Sequence, residues 1–483
     1  MSLDSNTQSE ESEEVETVRR RSVLGLMGSV LTASAFTTVA SADTVGCKVF
    51  IRTQERSDRT YDRNDESEPT QVTFDSPPGA SSPSSQIAPD DGFASTEWLT
   101  EQPVTVVKVT NLNRRGNGSF TDAMTREIDG EARIVVFEVG GVIDLGGKGL
   151  DPETSNMFIA GQTAPGPGIT LIRGGFEFDA TNNFVQHIRV RSGTGVAGGN
   201  EGEGEAADSI SIQDESENIV LDHCTASWGT DENMSCGDTC DRITFSNSLI
   251  SEGLAKPDLH PDEGEHSNGT LVGHDTTRMA ILGNLYANSN DRHPRLKGGT
   301  RTAVVNNVIY NFDTATRLGD DAEINADDEF PTQASIVGNV YRPDENTPLE
   351  SPIVGINDEE DVRLAKIFLA DNVTQGPLSM LADDPDPRLA VADKPPVWPQ
   401  NLDSAGNFGR TLNTAGARPA QRTYHDQRIV HETRSKKGSI IDTQREVGGY
   451  PTLEPVTRPL DIPTENFGEW LDQYTRAVEL HSH

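Results

Sequence analysis

The chain has 483 residues, with 77 Asp and Glu against 40 Lys and Arg, a formal net charge of −37, and 34% hydrophobic residues. So negative a balance, with no basic stripe to displace counterions from phosphates, excludes nucleic acid as a partner. Only nine of the 40 cations are lysines, and an acidic, lysine-poor surface suits a very salty medium, where a Debye length of about 3 Å at 1 M salt screens self-repulsion. Low hydrophobicity with high charge also fits disorder, but regular short apolar runs from about residue 103 onward indicate a folded body.

At the N-terminus, residues 19–24 read RRRSVL and lead through GLMGSVLTASAFTTVA to Ala40-Ser41-Ala42. A twin arginine before a short apolar region and an A-x-A site resembles a twin-arginine export signal, so residues 1–42 are read as a signal peptide cleaved near Ala42. The alternative is a short membrane anchor, but Gly, Ser and Thr interrupt the run, and no stable span is expected after cleavage. Residues 43–102 are rich in Asp, Ser and Pro and read as a linker. Four cysteines are too few for a disulfide scaffold. Cys236 and Cys240 are spaced to close a small loop disulfide, Cys47 follows Val-Gly in a faintly lipobox-like context, and no second pair completes a zinc site with Cys224.

Next come the strand-like VTVVKVTNLN, a short helical stretch FTDAMTREI, and the strand-like ARIVVFEVGGVIDL. A pattern then repeats: FVQHIRVRS, IVLDHCTAS, ITFSNSLIS, AILGNLYAN, AVVNNVIYN, SIVGNVYRP and FLADNVTQG each carry apolar residues around one polar position. Those positions are His187, His223, Asn247, Asn284, Asn307, Asn339 and Asn372. The intervals hold turns rather than helices of 3.6 periodicity, which predicts an all-β, single-stranded, right-handed parallel β-helix over residues 103–375. The repeated polar residue is expected to stack as a ladder. Residues 376–483 mix one modest helix with extended segments and read as an extension packed on the outside of the coils, a separate binding domain being the rival reading.

Residues 290–299, NDRHPRLKGG, concentrate Arg292, Arg295 and Lys297 on a turn between two coil strands. Together with IVLDHCTAS, the preceding DSISI and the TDE of SWGTDE, this segment resembles the ordered motifs of the pectate lyase family over roughly residues 103–345. The AGARP and GGYPT stretches look like the tail of one branch of that family. The resemblance implies β-elimination on α-1,4-linked galacturonan, with cations, calcium foremost, taking up the charge of the developing enolate. It makes Arg292 the base. Arg295 and Lys297 become substrate-carboxylate binders, lysine standing where the family commonly has arginine. Asp208 and Asp231 become calcium ligands; a third ligand position holds Ser227, and Glu232 is the candidate to compensate. Asn268 stands where the family has a substrate-binding lysine, and Lys256 is the favoured substitute, ahead of His260 and His266. Asp222 and His223 read as supporting or core residues. The expected product is thus a secreted, monomeric, calcium-dependent lyase acting on polygalacturonate. A calcium-independent pectin lyase and a non-catalytic polysaccharide-binding or cell-surface β-helix are the alternatives.

Overall fold

The computed structural model describes residues 70–78, 87–194, 208–256, 266–319, 332–344, 347–356, 364–400, 402 and 408–480. The export signal, Cys47 and His260 lie outside them.

The backbone winds into stacked coils whose strands fall into three sheets of twelve, ten and seven strands. Strands adjacent in a sheet belong to successive circuits and pair in parallel, as in Ile210–Ile212 with Met234–Cys236, or Glu217–Asp222 with Asp241–Ser246. Among the described residues antiparallel pairing is confined to two sheet ends, where Gln71–Val72 meets Val104–Val109 and Val456–Thr457 meets Val139–Asp144. Because side chains alternate across a strand, one row of each strand points into the coil and meets its counterpart above and below. Ile159, Val185, Leu221, Phe245, Ile281, Val304 and Ile336 form one such inward row along the twelve-stranded sheet, all buried in the main core. This continuous interior replaces the separate core of a globular domain.

The polar repeat occupies two adjacent places rather than one. Register from strand to strand puts His187, His223 and Asn247 level with Gly283, Asn306, Gly338 and Asp371, and all seven have positive φ, between 47° and 68°. This is the left-handed residue that turns the chain out of the twelve-stranded sheet. Asn284, Asn307, Asn339 and Asn372 come one residue later and make the ladder: each Nδ2 donates to the next Oδ1 at 3.0–3.1 Å from Asn284 to Asn372. The same Nδ2 groups donate to main-chain carbonyls such as Ile281 O, 2.9 Å from Asn307. Ser248 and Cys224 hold this second place in the earlier coils. Asn247 was expected in the ladder, but as a turn residue it donates instead to Asp222 Oδ1 and Ile87 O, at 2.9 and 3.0 Å.

Two segments outside the coil repeat pack on the coils. In the stretch assigned to a linker, residues 70–102 bury Val72, Phe74, Trp98 and Leu99, and the Phe93 and Ala94 amides donate to Thr244 Oγ1 at 3.2 Å. The polar composition concealed a few large apolar side chains that cover the twelve-stranded sheet. Among the described residues the extension carries three α-helices, Phe408–Thr414, Tyr424–Ser435 and Phe467–Glu479, where one was expected, and coil pairing continues beyond residue 375 to Leu389–Val391. Leu412, Ala415, Ile429 and Val430 cover the ten-stranded sheet, and Asp426 accepts from Arg189 Nε at 2.8 Å and from Arg191. All three charged groups are buried, so this contact stands only because each is paired.

Asn307→Ala removes a side chain that accepts from the Asn284 amide and bridges two coils. It is expected to lower unfolding free energy by about 2–4 kcal/mol, several hydrogen bonds at roughly 1 kcal/mol each plus the desolvated partners left behind; chemical denaturation with unchanged m-value checks this.

Candidate active site

The outer face of the seven-stranded sheet carries one row of side chains built by strict alternation. In Phe176–Phe178 the two phenylalanines point inward and Glu177 outward; in the later strands Leu296 is inward, leaving Arg295 and Lys297 outward. Register aligns Glu177, Ser211, Ser235, Leu271, Arg295 and Arg317 in that order. The row thus runs from an acid through hydroxyls to two arginines.

Just before this row the chain gathers Asp208, Asp231 and Glu232, whose carboxylate oxygens lie within 4.8 Å of one another. Strand alternation would have sent Asp231 and Glu232 to opposite faces, but here the chain bends and makes a single bridge, Glu232 to Asn268, so both side chains converge. Asp208 is fixed by the Glu232 amide, which donates to Oδ1 at 2.9 Å, and by the Ser235 hydroxyl, which donates to Oδ2. Burial, with the charges of Asp231 and Glu177, pushes its carboxyl up to about 8 against the opposing effects of Ser235 and Arg292. An oxygen-only set this rich in negative charge fits a hard divalent cation such as calcium, with Asp208, Asp231 and Glu232 as the residues that would hold it.

Arg292 enters the same cluster. Its Nη1 contacts Glu232 Oε1 and lies 3.9 Å from Asp231 Oδ1. The coil reaches there by accommodating an extra residue: Asn268 and Val272 are four apart, whereas their partners Asp291 and Leu296 are five apart. Such a bulge re-aims a side chain, and Arg292 takes the left-handed conformation with φ 66°. Gly269 makes room below, since a Cβ there would stand 2.5 Å from the Arg292 carbonyl oxygen.

Other sequence candidates lie elsewhere. Ser227 is buried in the ten-stranded sheet, 3.0 Å from Ser251 Oγ, and takes no part in the acidic cluster. Asn268 is buried between Glu232 and Asp291. Lys256 is exposed at the edge of the described chain. Glu177 was missed, although the alternation in FEF marks its outward position. Cys236 and Cys240, spaced to close a loop disulfide, are free and buried, their Sγ atoms donating to the carbonyls of Gly237 and Gln213 at 3.7 and 3.2 Å.

No protein-family model matches the chain. A probable pectate lyase C of Aspergillus oryzae is 29% identical over 387 residues, 77% of this chain and 83% of the relative, and one of Neosartorya fischeri is 35% identical over 237 residues, 49% of each. The chain is thus similar to curated probable pectate lyases across most of its coils. Among solved structures, a Bacillus pectate lyase in complex with trigalacturonate aligns at a TM-score of 0.43 with 16% identity, covering 65% of this chain and 93% of that one.

The chain holds a second convergent group, His187, His223 and Glu479, buried where the last helix meets the coils. Here the Arg418 amide donates to His187 Nδ1 at 3.1 Å, which leaves the proton of the neutral ring on Nε2, 3.4 Å from Glu479 Oε1. A metal-bound histidine donates from its second nitrogen instead, so this group reads as an anchor for the helix. His223 Nδ1 lies 2.8 Å from Asp222 Oδ2 and 3.8 Å from Glu479 Oε1. Burial opposes its charge, but Asp222 and Glu479 prevail and push it up to about 9. The stability it contributes is therefore complete below its unfolded value of about 6.5 and is lost as pH rises through about 9. Denaturant midpoints are expected to fall across that window by an amount equivalent to roughly 3 kcal/mol, and His223→Gln is expected to flatten the decline.

Proposed function

We propose that this chain is an exported, calcium-dependent pectate lyase that cleaves α-1,4-galacturonan by β-elimination, with Arg292 as the base. The observation that carries the reading is the meeting of Arg292 with Asp208, Asp231 and Glu232 beside a sheet face that presents Arg295 and Lys297. A C5 proton beside an ionised carboxylate is very weakly acidic, so positive charge has to gather where the enolate develops. Calcium, when bound, supplies the largest share of that charge. Arg295 and Lys297 hold uronate carboxylates along the outer face, the arginine by a bidentate fork and the lysine as a point charge, and Lys256 is a further cation for the same purpose. Arg292, in its neutral guanidine form, takes the proton from C5 and becomes a guanidinium; the C5–H electron pair forms the C4=C5 double bond, the C4–O4 bond breaks, and the departing O4 of the neighbouring sugar takes a proton from solvent. The twin-arginine segment and the polymeric substrate support a reaction outside the cell, and the enzyme is taken to act as a monomer.

A probable pectin lyase B of Aspergillus niger is 29% identical over 210 residues, 42% of this chain and 48% of the relative. The three gathered carboxylates favour the calcium-dependent reading over that one, since a neutral methyl ester offers no carboxylate to share a bound cation with them.

With calcium, polygalacturonate is expected to yield the ultraviolet-absorbing unsaturated product, and chelator is expected to stop it. Arg292→Ala is expected to lower kcat by about 10³-fold with unchanged circular dichroism, the scale of a lost general base; unaltered turnover would remove Arg292 from the mechanism. Asp208→Asn is expected to raise the calcium concentration for half-maximal rate by about tenfold or more, since a ligand charge is lost, while Ser227→Ala leaves that concentration as it is.

A further inference from the structure

The extension contains a cavity of about 260 Å³ between the turn Pro419–Gln421 and helix Tyr424–Ser435. Arg422, Arg434, His431 and Gln427 provide its polar lining, and Pro419 and Val430 an apolar wall. Among the described residues no carboxylate lines it, in a chain of net charge −37. The acids nearby in sequence are already committed: Asp426 to Arg189 and Arg191, Glu432 to Arg428 at 2.9 Å.

The two arginines keep donors to spare. Arg422 spends Nη2 on the carbonyls of Asn413 and Ala415, at 3.0 and 2.6 Å, and its buried Nε has no acceptor. Arg434 gives Nη2 to Asn413 Oδ1 at 2.5 Å. Neither makes an ion pair among the described residues. Burial pushes the Arg422 guanidinium down to about 10, the attraction of Asp426 being opposed by Arg434 and Arg189. Two forked cations gathered at a partly apolar cavity, one of them with a buried Nε that has no acceptor, present donors suited to an anion.

We propose that this cavity is an ancillary site for one uronate residue of an acidic polysaccharide, its carboxylate on Arg422 and Arg434, its hydroxyls on His431 and Gln427, and one sugar face on Pro419 and Val430. The choice of sugar rests on the function proposed above. The helix that forms the cavity covers the ten-stranded sheet, whereas Arg292 and the acidic cluster stand on the seven-stranded one. A polymer bound there tethers the enzyme while the cleavage site works on another part of the chain, and the two contacts reinforce each other through effective concentration.

The test uses the full chain carrying Arg292→Ala, titrated calorimetrically with trigalacturonate in calcium. Two sites are expected, and adding Arg434→Gln with His431→Ala, both exposed, is expected to weaken one of them by about tenfold or more, or 1.4 kcal/mol. Arg422→Gln is the second variant, with circular dichroism as the check on folding. On the Arg292 background, the Arg434→Gln and His431→Ala pair is expected to keep its turnover of trigalacturonate and to lose retention on a pectate gel. A single site in the parent, or two sites that neither variant alters, overturns the proposal. Sulfate competing as well as galacturonate would reduce the cavity to a general anion site and overturn the sugar assignment. Should no unsaturated product form while one binding site still disappears in the variants, the lyase reading fails and this one stands.

Discussion

Register between successive coils is the constraint on which the rest of this molecule depends. Main-chain hydrogen bonds join each strand to the one a circuit later, and a slip of one residue would turn every inward side chain outward. The asparagine ladder and the left-handed residue before it pin that register at one corner, tying each turn to the next through both side chain and carbonyl. Because the register is so firmly held, a local exception can be tolerated. The extra residue at Arg292 is absorbed as a bulge, and the coils beyond it return to the common pairing at Leu296.

That exception brings opposite charges together. Asp208, Asp231 and Glu232 come from two coils, and Arg292 from a later one, yet stacking sets them within a few ångströms. Burial, reinforced by the neighbouring acids, raises Asp208 far above the ordinary carboxylate range, while Ser235 and Arg292 offset part of the shift. Beyond them the row continues to Arg295 and Arg317. A surface that repels polyanions nearly everywhere thus offers them a short cationic track beside a cation-seeking pocket of oxygens. The same logic recurs in the extension, where Arg422 and Arg434 face a cavity without acids.

The extension and the segment before the first coil solve a different difficulty. A parallel β-helix exposes the outer faces of its sheets, and apolar residues there need cover. Trp98 and Leu99 cover the twelve-stranded sheet, and Leu412, Ile429 and Val430 the ten-stranded one. The covering helices are held by buried polar contacts as well: Asp426 between Arg189 and Arg191, and Glu479 beside His187 and His223. The seven-stranded sheet is the face that carries the catalytic candidates.

The coil fold, its strands and the short helix at Phe120–Thr125 were legible because apolar periodicity and turn residues are local properties of the chain. Arg292, Arg295, Asp208 and Asp231 could be named for a similar reason, each lying in a short motif of fixed order. The ladder was placed one residue wrong at Asn247, since a left-handed asparagine and a ladder asparagine look alike until strands are paired. Glu232 was in doubt because alternation holds within a strand and the chain bends at that point, while Glu177 passed unnoticed because its neighbours in space are a full coil away in sequence. The sequence by itself determined the repeating coil and the chemical types available to the site. Which carboxylates converge, where Arg292 points, and how the terminal segments cover the sheets were decided only by stacking, because those contacts join residues that no local pattern connects.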